Sequence, residues 1–189
     1  MDRDRTIREH ETFRNILQAF ARPGSVRPTF HGVRDRDEAL EFVACSLLDS
    51  ESSLGVLCEA DREFASKIRL LTGCVSSDPA TADFVLAGNG SSLGRLIDLR
   101  TGDPDYPDRG ATVIYLVEGV HPEGGSWSWS GPGIPDKICP RLEGLDFSEL
   151  PALREINHSY PLGLDALFVD RAGRIAALPR STRLSEVVP

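Results

Sequence analysis

Apolar positions at Ile7, Phe13, Ile16, Leu17 and Phe20 recur at near-helical spacing and predict a first helix. Thr6 and Glu9 form a capping box that would open it. Arg22-Pro23-Gly24 would close it, because proline cannot continue a helix and glycine accepts a positive φ. Residues 26–30 read as a short strand. A second capping box, Asp35 with Glu38, precedes a helix whose apolar face is Ala39, Leu40, Phe42, Val43, Leu47 and Leu48. Residues 53–57 predict a strand, and residues 61–71 a third helix stopped by Gly73.

Further along, Asp83-Phe84-Val85-Leu86-Ala87 has the pattern of a buried strand, and residues 91–99 predict a short fourth helix. Residues 112–117 carry the strongest β propensity in the chain. Trp127 and Trp129 alternate with serines, which predicts a half-exposed strand. Asp146 and Glu149 form a third capping box, for a helix running toward His158. Residues 166–169 and 175–178 flank Asp170-Arg171-Ala172-Gly173, a hairpin turn.

Strands and helices alternate early, and strands pair late. This order predicts an α/β fold, a three-layer sandwich with a mixed sheet, parallel in the middle and antiparallel toward one edge. A single domain would span residues 1–189. Residues 101–110 and 131–144 read as long loops rich in Gly, Pro and Asp, a kind often functional or interface-forming.

At 189 residues, 40% of them hydrophobic and 26% charged, the chain can bury a core without disulfide or metal staples. Its formal net charge of −8 argues against a general nucleic-acid binder, which needs excess Lys and Arg, yet leaves room for a local arginine cluster. No apolar run approaches the roughly 20 residues that span a bilayer. The charged start, Met1-Asp2-Arg3-Asp4-Arg5, has no secretory character, so a cytoplasmic location is expected. Cys45, Cys58, Cys74 and Cys139 form no CxxC pair and read as free thiols. His10, His31, His121 and His158 lack metal-ligand spacing, and Asp103, Asp105 and Asp108 lack the closing Glu of a calcium loop, so no metal is expected. No GxSxG elbow supports a hydrolase serine.

Candidate chemistry lies in a few short stretches. Gly88-Asn89-Gly90-Ser91-Ser92-Leu93-Gly94 fits either a phosphate loop, whose N–H groups hold an anion, or a tight strand-to-helix turn capped by serine. Ser130-Gly131-Pro132-Gly133-Ile134 either turns N–H groups toward an anion or forms a rigid loop. Arg180-Ser181-Thr182-Arg183 suits a phosphate or a partner carboxylate, or an ordinary strand exit. Arg22 is a similar contact, or a helix-terminal arginine bonding the last carbonyls. The candidate phosphate or partner contacts are therefore Arg22, Gly131, Gly133, Arg180, Thr182 and Arg183; no residue is singled out as catalytic or cofactor-binding.

Five blocks fall in order: Phe13-Arg14-Asn15-Ile16-Leu17, Ala21-Arg22-Pro23-Gly24, Ser130-Gly131-Pro132-Gly133-Ile134, Tyr160-Pro161-Leu162-Gly163-Leu164-Asp165 and Ala177-Leu178-Pro179-Arg180-Ser181-Thr182-Arg183. With Leu47-Leu48-Asp49, Ala82-Asp83-Phe84-Val85 and Gly110-Ala111-Thr112-Val113, the chain resembles the PhnH family, the H subunit of the bacterial carbon–phosphorus lyase system for phosphonate breakdown. The resemblance implies a fold like that of pyridoxal-phosphate-dependent transferases, without the cofactor. The only lysines, Lys67 and Lys137, offer no convincing Schiff-base setting. It further implies a homodimer that joins the G, I and J subunits in a core complex. The implied role is that of an accessory, non-catalytic subunit. Sister subunits would act with it to transfer the ribose triphosphate moiety of ATP to an alkylphosphonate, displacing adenine and giving an alpha-D-ribose 1-methylphosphonate 5-triphosphate. A stand-alone nucleotide- or phosphate-binding enzyme and a purely structural dimer module are the alternatives.

Overall fold

The computed structural model describes residues 3–187; Met1 and Asp2 of the charged start, and Val188 and Pro189, lie outside the described residues. Helix α1 is Arg3–Ala21. It begins before the Thr6–Glu9 box, so that pair does not open it. An Asp4–Arg8 ion pair at 2.9 Å and an Arg5–Glu9 pair at 2.9 Å, each one helical turn long, extend the helix upstream. Its buried side is Thr12, Ile16 and Ala19. Ile7, Phe13 and Leu17 of the expected apolar stripe are exposed. Strand β1 is only Arg27–Pro28, because Pro28 has no N–H for a ladder and is confined to a sheet edge.

Helix α2 (Arg36–Leu47) starts as expected. The Asp35 side chain accepts from the Glu38 N–H at 2.8 Å, while the Glu38 carboxylate accepts from the Arg34 N–H at 2.8 Å. Strand β2 (Ser53–Val56), helix α3 (Arg62–Thr72), strand β3 (Val75–Ser76) and strand β4 (Phe84–Ala87) follow. The fourth helix expected over residues 91–99 is reduced to a 3₁₀ turn, Arg95–Asp98. Leu93 and Gly94 both take positive φ, 57° and 74°, which an α-helix cannot pass through.

Next come β5 (Thr112–Leu116), β6 (Gly119–His121), β7 (Trp127–Gly131), β8 (Ile134–Ile138) and β9 (Arg141–Glu143). The expected loop over 131–144 is thus mostly strand, and Trp127 and Trp129 are both buried rather than half-exposed. Helix α4 (Glu149–Asn157) has Ser148 as its first cap, and Glu149 turns into the core instead of reaching back, so the third capping box does not form. Strands β10 (Asp165–Val169), β11 (Arg174–Leu178) and β12 (Arg183–Glu186) complete the order.

The main sheet has seven strands in the order β1-β11-β10-β5-β4-β2-β3. Strands β10, β5, β4, β2 and β3 run parallel, while β11 and β1 add antiparallel at one edge, as the sequence order predicts. The β10–β11 hairpin turn is fixed by buried Asp170, which accepts from the N–H groups of Ala172 and Arg174, each at 2.8 Å.

Parallel strands must be covered on both faces, and alternate side chains divide between them. Leu54, Leu86, Ile114, Leu167 and Ala177 meet Ile16, Leu40, Val43 and Ile68 of α1, α2 and α3. Val85, Val113, Tyr115, Phe168 and Leu178 meet Trp127, Trp129, Leu153 and Leu184 on the opposite face. That third layer consists of α4, a β12-β7-β8 sheet and a β6-β9 pair. Phe168 stacks on Tyr115 with centroids 5.3 Å apart and tilts against Trp129 at 6.4 Å. Each such aromatic pair adds about 0.5–1.5 kcal/mol beyond area burial.

Candidate functional site

The Gly- and Pro-containing blocks are brought together at the rim of the third layer. A Cβ on Gly133 would lie 2.2 Å from the Ala21 carbonyl oxygen, and one on Gly24 would lie 2.5 Å from Ile138 Cδ1. Both residues hold positive φ, 79° and 74°. Glycine is required there because the exit of α1 packs directly on the β7–β8 hairpin. Gly24 N–H also donates to the Ala177 carbonyl at 3.2 Å, and Arg183 faces Ser130 across the β12–β7 ladder. Asn157, at the end of α4, exchanges side-chain bonds with the backbone of Leu164 at 2.8 and 3.0 Å. These sequence blocks are therefore mostly scaffold contacts.

Arg180 is the clearest case. Its backbone N–H donates to Asp165 Oδ1 at 2.7 Å, and its Nε and Nη2 donate to Asp165 Oδ2 at 3.1 and 2.5 Å. Its guanidinium also donates to the carbonyls of Pro107 at 2.6 Å and Gly110 at 3.2 Å. With the side chain only 12% exposed, the charge has to be satisfied internally. Arg180 thereby clamps the 101–110 loop to β10, and it also lines the cleft described next. Arg22 is exposed, and its backbone N–H donates to Gln18 O at 3.0 Å. Neither Arg22 nor Gly133 lines the cleft described next.

That cleft, about 660 Å³, opens between the β7–β12 pair and the end of α4. Gly131, Arg180, Thr182 and Arg183 line it, as do Arg154, His158 and Tyr160, which the sequence alone does not single out. Arg154 lies over the Trp127 ring at 5.2 Å from its centroid. Thr182 is 6% exposed, and its hydroxyl has no hydrogen-bond partner. Arg154 and His158 are four residues apart and so share one helix face, a signal that was available in the sequence. The chemistry on offer is anion binding. Among the described residues no Ser, Thr or Cys hydrogen-bonds a histidine: His31 is paired with Glu11 and His121 with Glu143. No group of three or more His, Cys, Asp and Glu among the described residues is arranged to hold a metal ion.

The stretch from Gly88 to Gly94 does bind anions, but they are the protein's own. Gly88 N–H donates to Asp61 Oδ2 at 3.1 Å, and Ser92 N–H and hydroxyl donate to Glu149 Oε1 at 2.7 and 2.8 Å. Burial pushes the Asp61 carboxyl up, partly offset by that N–H and by Arg36. Glu149 Oε2 accepts from the Tyr115 hydroxyl at 2.5 Å. Burial, then the nearby Glu149 charge and this bond, push the Tyr115 hydroxyl well above the usual phenol range. The turn reading therefore holds over the phosphate-loop reading. The buried Glu149–Ser92–Tyr115 network left no sequence trace, because Glu149 occupies an ordinary capping-box position.

A family model described as "Bacterial phosphonate metabolism protein (PhnH)" matches residues 3–185. The chain is 32% identical over 181 residues to a putative C-P lyase subunit protein HtxG of Stutzerimonas stutzeri, spanning 94% of this chain and 86% of that one. It is 27% identical over 187 residues to an alpha-D-ribose 1-methylphosphonate 5-triphosphate synthase subunit PhnH of Rhizobium meliloti (strain 1021), spanning 96% and 92%.

Proposed function

The chain belongs to the PhnH family of bacterial phosphonate metabolism proteins, and from that premise we propose that it is an accessory subunit of the carbon–phosphorus lyase system. Its task, with sister subunits, is the transfer of the ribose triphosphate moiety of ATP to an alkylphosphonate. The observation that carries this reading is the family match over residues 3–185, which runs from the first residue of α1 into β12. Both relatives carry names of subunits, one of a C-P lyase and one of the ribose methylphosphonate triphosphate synthase.

In this reading residues 1–189 form one domain with the layering of a pyridoxal-phosphate-dependent transferase, put to use without the cofactor. Lys67 is committed to Glu41 at 2.8 Å, and Lys137 is exposed on β8. The bond-breaking step is assigned to another subunit. A homodimer joined to the G, I and J subunits in the cytoplasm completes the proposal. Exposed Ile7, Phe13 and Leu17 on α1 offer apolar surface that such contacts use. Among the described residues no helix is long and apolar enough to cross a membrane.

The test is a clean deletion with growth on methylphosphonate as the sole phosphorus source. Growth is lost and is restored by the gene supplied in trans. Normal growth of the deletion strain would sink the proposal.

A further inference from the structure

The cleft at the end of α4 is charged in a way that its scaffold does not require. Its lining includes Arg154, Arg183 and His158 and no carboxylate, in a chain of formal net charge −8. A third arginine of the lining, Arg180, is matched by Asp165, as Arg171 is by Glu118 and Arg174 by Asp170 outside it. Arg183 makes no side-chain hydrogen bond or ion pair among the described residues, and Arg154 is held only by the face of Trp127. Cations gathered without a counter-charge repel one another, and an arriving anion relieves that repulsion.

Thr182 supplies a second, independent observation. Its side chain is more than nine-tenths buried at this cleft, and its hydroxyl is unpartnered, whereas buried hydroxyls are normally bonded. A cavity of about 660 Å³ falls within the range of small-molecule sites and exceeds what one phosphate group fills. Tyr160 provides an aromatic wall for the remainder of a ligand.

We propose that this cleft binds a phosphate-bearing small molecule, its phosphates held by Arg154 and Arg183 with the Thr182 hydroxyl donating from the floor, and its organic part against Tyr160. Guanidiniums suit this because their forked N–H groups match phosphate oxygens bidentately. The groove between α1 and β1 also gathers basic residues, Arg14 and Arg27 among them, but it contains Glu11 and is the weaker anion site. The inference goes beyond the proposed subunit role and rests on this chain alone, so either can fail without the other.

The test is calorimetric titration of the full chain with tripolyphosphate and, separately, with ATP at low salt. Both bind. Arg154→Ala and Arg183→Ala each weaken binding about tenfold or more while leaving the melting temperature unchanged, as expected for exposed side chains. Thr182→Val weakens binding and Thr182→Ser retains it. Arg14→Ala, in the other basic groove, has no effect. ATP binds more tightly than tripolyphosphate, and Tyr160→Ala removes the margin; equal affinities would overturn the placement of the organic part. Absence of binding by either probe, or binding that survives loss of both arginines, overturns the proposal. So does a result in which the arginine variants bind no less phosphate but lose a protein partner, which makes the cleft a protein contact.

Discussion

Glu149 offers the sharpest test of how the site is held. Its carboxyl group is 1% exposed and accepts three bonds, from Ser92 N–H, Ser92 Oγ and Tyr115 OH. It therefore ties α4, which carries Arg154 and is followed directly by His158, to the 88–94 turn and to β5. Glu149→Ala leaves three donors without an acceptor inside the protein. Each buried unsatisfied group costs about 1–3 kcal/mol, and rotation of the two hydroxyls recovers part of that. The expected loss is about 3–5 kcal/mol, against a total stability of about 5–15 kcal/mol for a domain of this kind. Glu149→Gln keeps the shape and one acceptor oxygen but presents an amide N–H₂ to Tyr115, so its cost is about 1–2 kcal/mol. Tyr115→Phe, by removing a donor to a buried charge, costs about 1.5–3 kcal/mol. Equilibrium urea unfolding measures all three. Because Glu149 and Tyr115 share a bond, the Glu149→Ala/Tyr115→Phe double variant loses less than the two single losses combined. A Glu149→Ala variant destabilised by less than about 1 kcal/mol, or strictly additive losses, would refute the network as the anchor of α4.

Arg180→Ala strands the Asp165 carboxylate and two carbonyls, costing about 3–5 kcal/mol and raising amide exchange in the 101–110 loop, whereas Arg183→Ala changes stability by no more than about 0.5 kcal/mol. Equal losses in the two would show that the clamp is misassigned. Gly133→Ala forces a Cβ to within 2.2 Å of the Ala21 carbonyl oxygen. It costs about 1–3 kcal/mol, or about 2–4 °C of melting temperature per kcal/mol; an unchanged melting temperature contradicts the close packing. Burial raises the Asp83 pKa, but bonds from Ser53 and Arg100 outweigh it and hold the carboxyl below its usual range. Its contribution to stability is thus present above about pH 4 and is lost as pH falls through the depressed folded value. Melting curves of Asp83→Asn should therefore fall off less steeply with acid than those of the unaltered chain; parallel acid limbs would count against this coupling.

Much of the central architecture was written locally. Residues 84–87 and 112–116 are runs of residues suited to a strand buried on both faces, and Asp170 to Gly173 is turn chemistry that works wherever two strands flank it. Strand β8 was missed because Pro135, Asp136 and Lys137 are exposed, leaving no alternation to read. The three capping boxes look alike on paper and behave differently, since tertiary partners decide. Upstream ion pairs moved the first helix start, and Ser92 and Tyr115 drew Glu149 inward. The site was half legible for the same reason. Arg180 and Arg183 are equivalent in an Arg-Ser-Thr-Arg run, and only the position of Asp165 separates a buried clamp from a free cation. Thr182 and Arg183 were found by composition. Arg154 and His158 lie on and just after a helix distant in sequence, so their meeting with the other two depends on the whole fold.

The central claim, that this chain works as a subunit, is tested most directly by native mass spectrometry of the chain alone and after mixing with the G, I and J subunits of the same system. A dimer that moves into a larger stoichiometric complex is the predicted result. A species whose mass ignores those subunits would contradict the account.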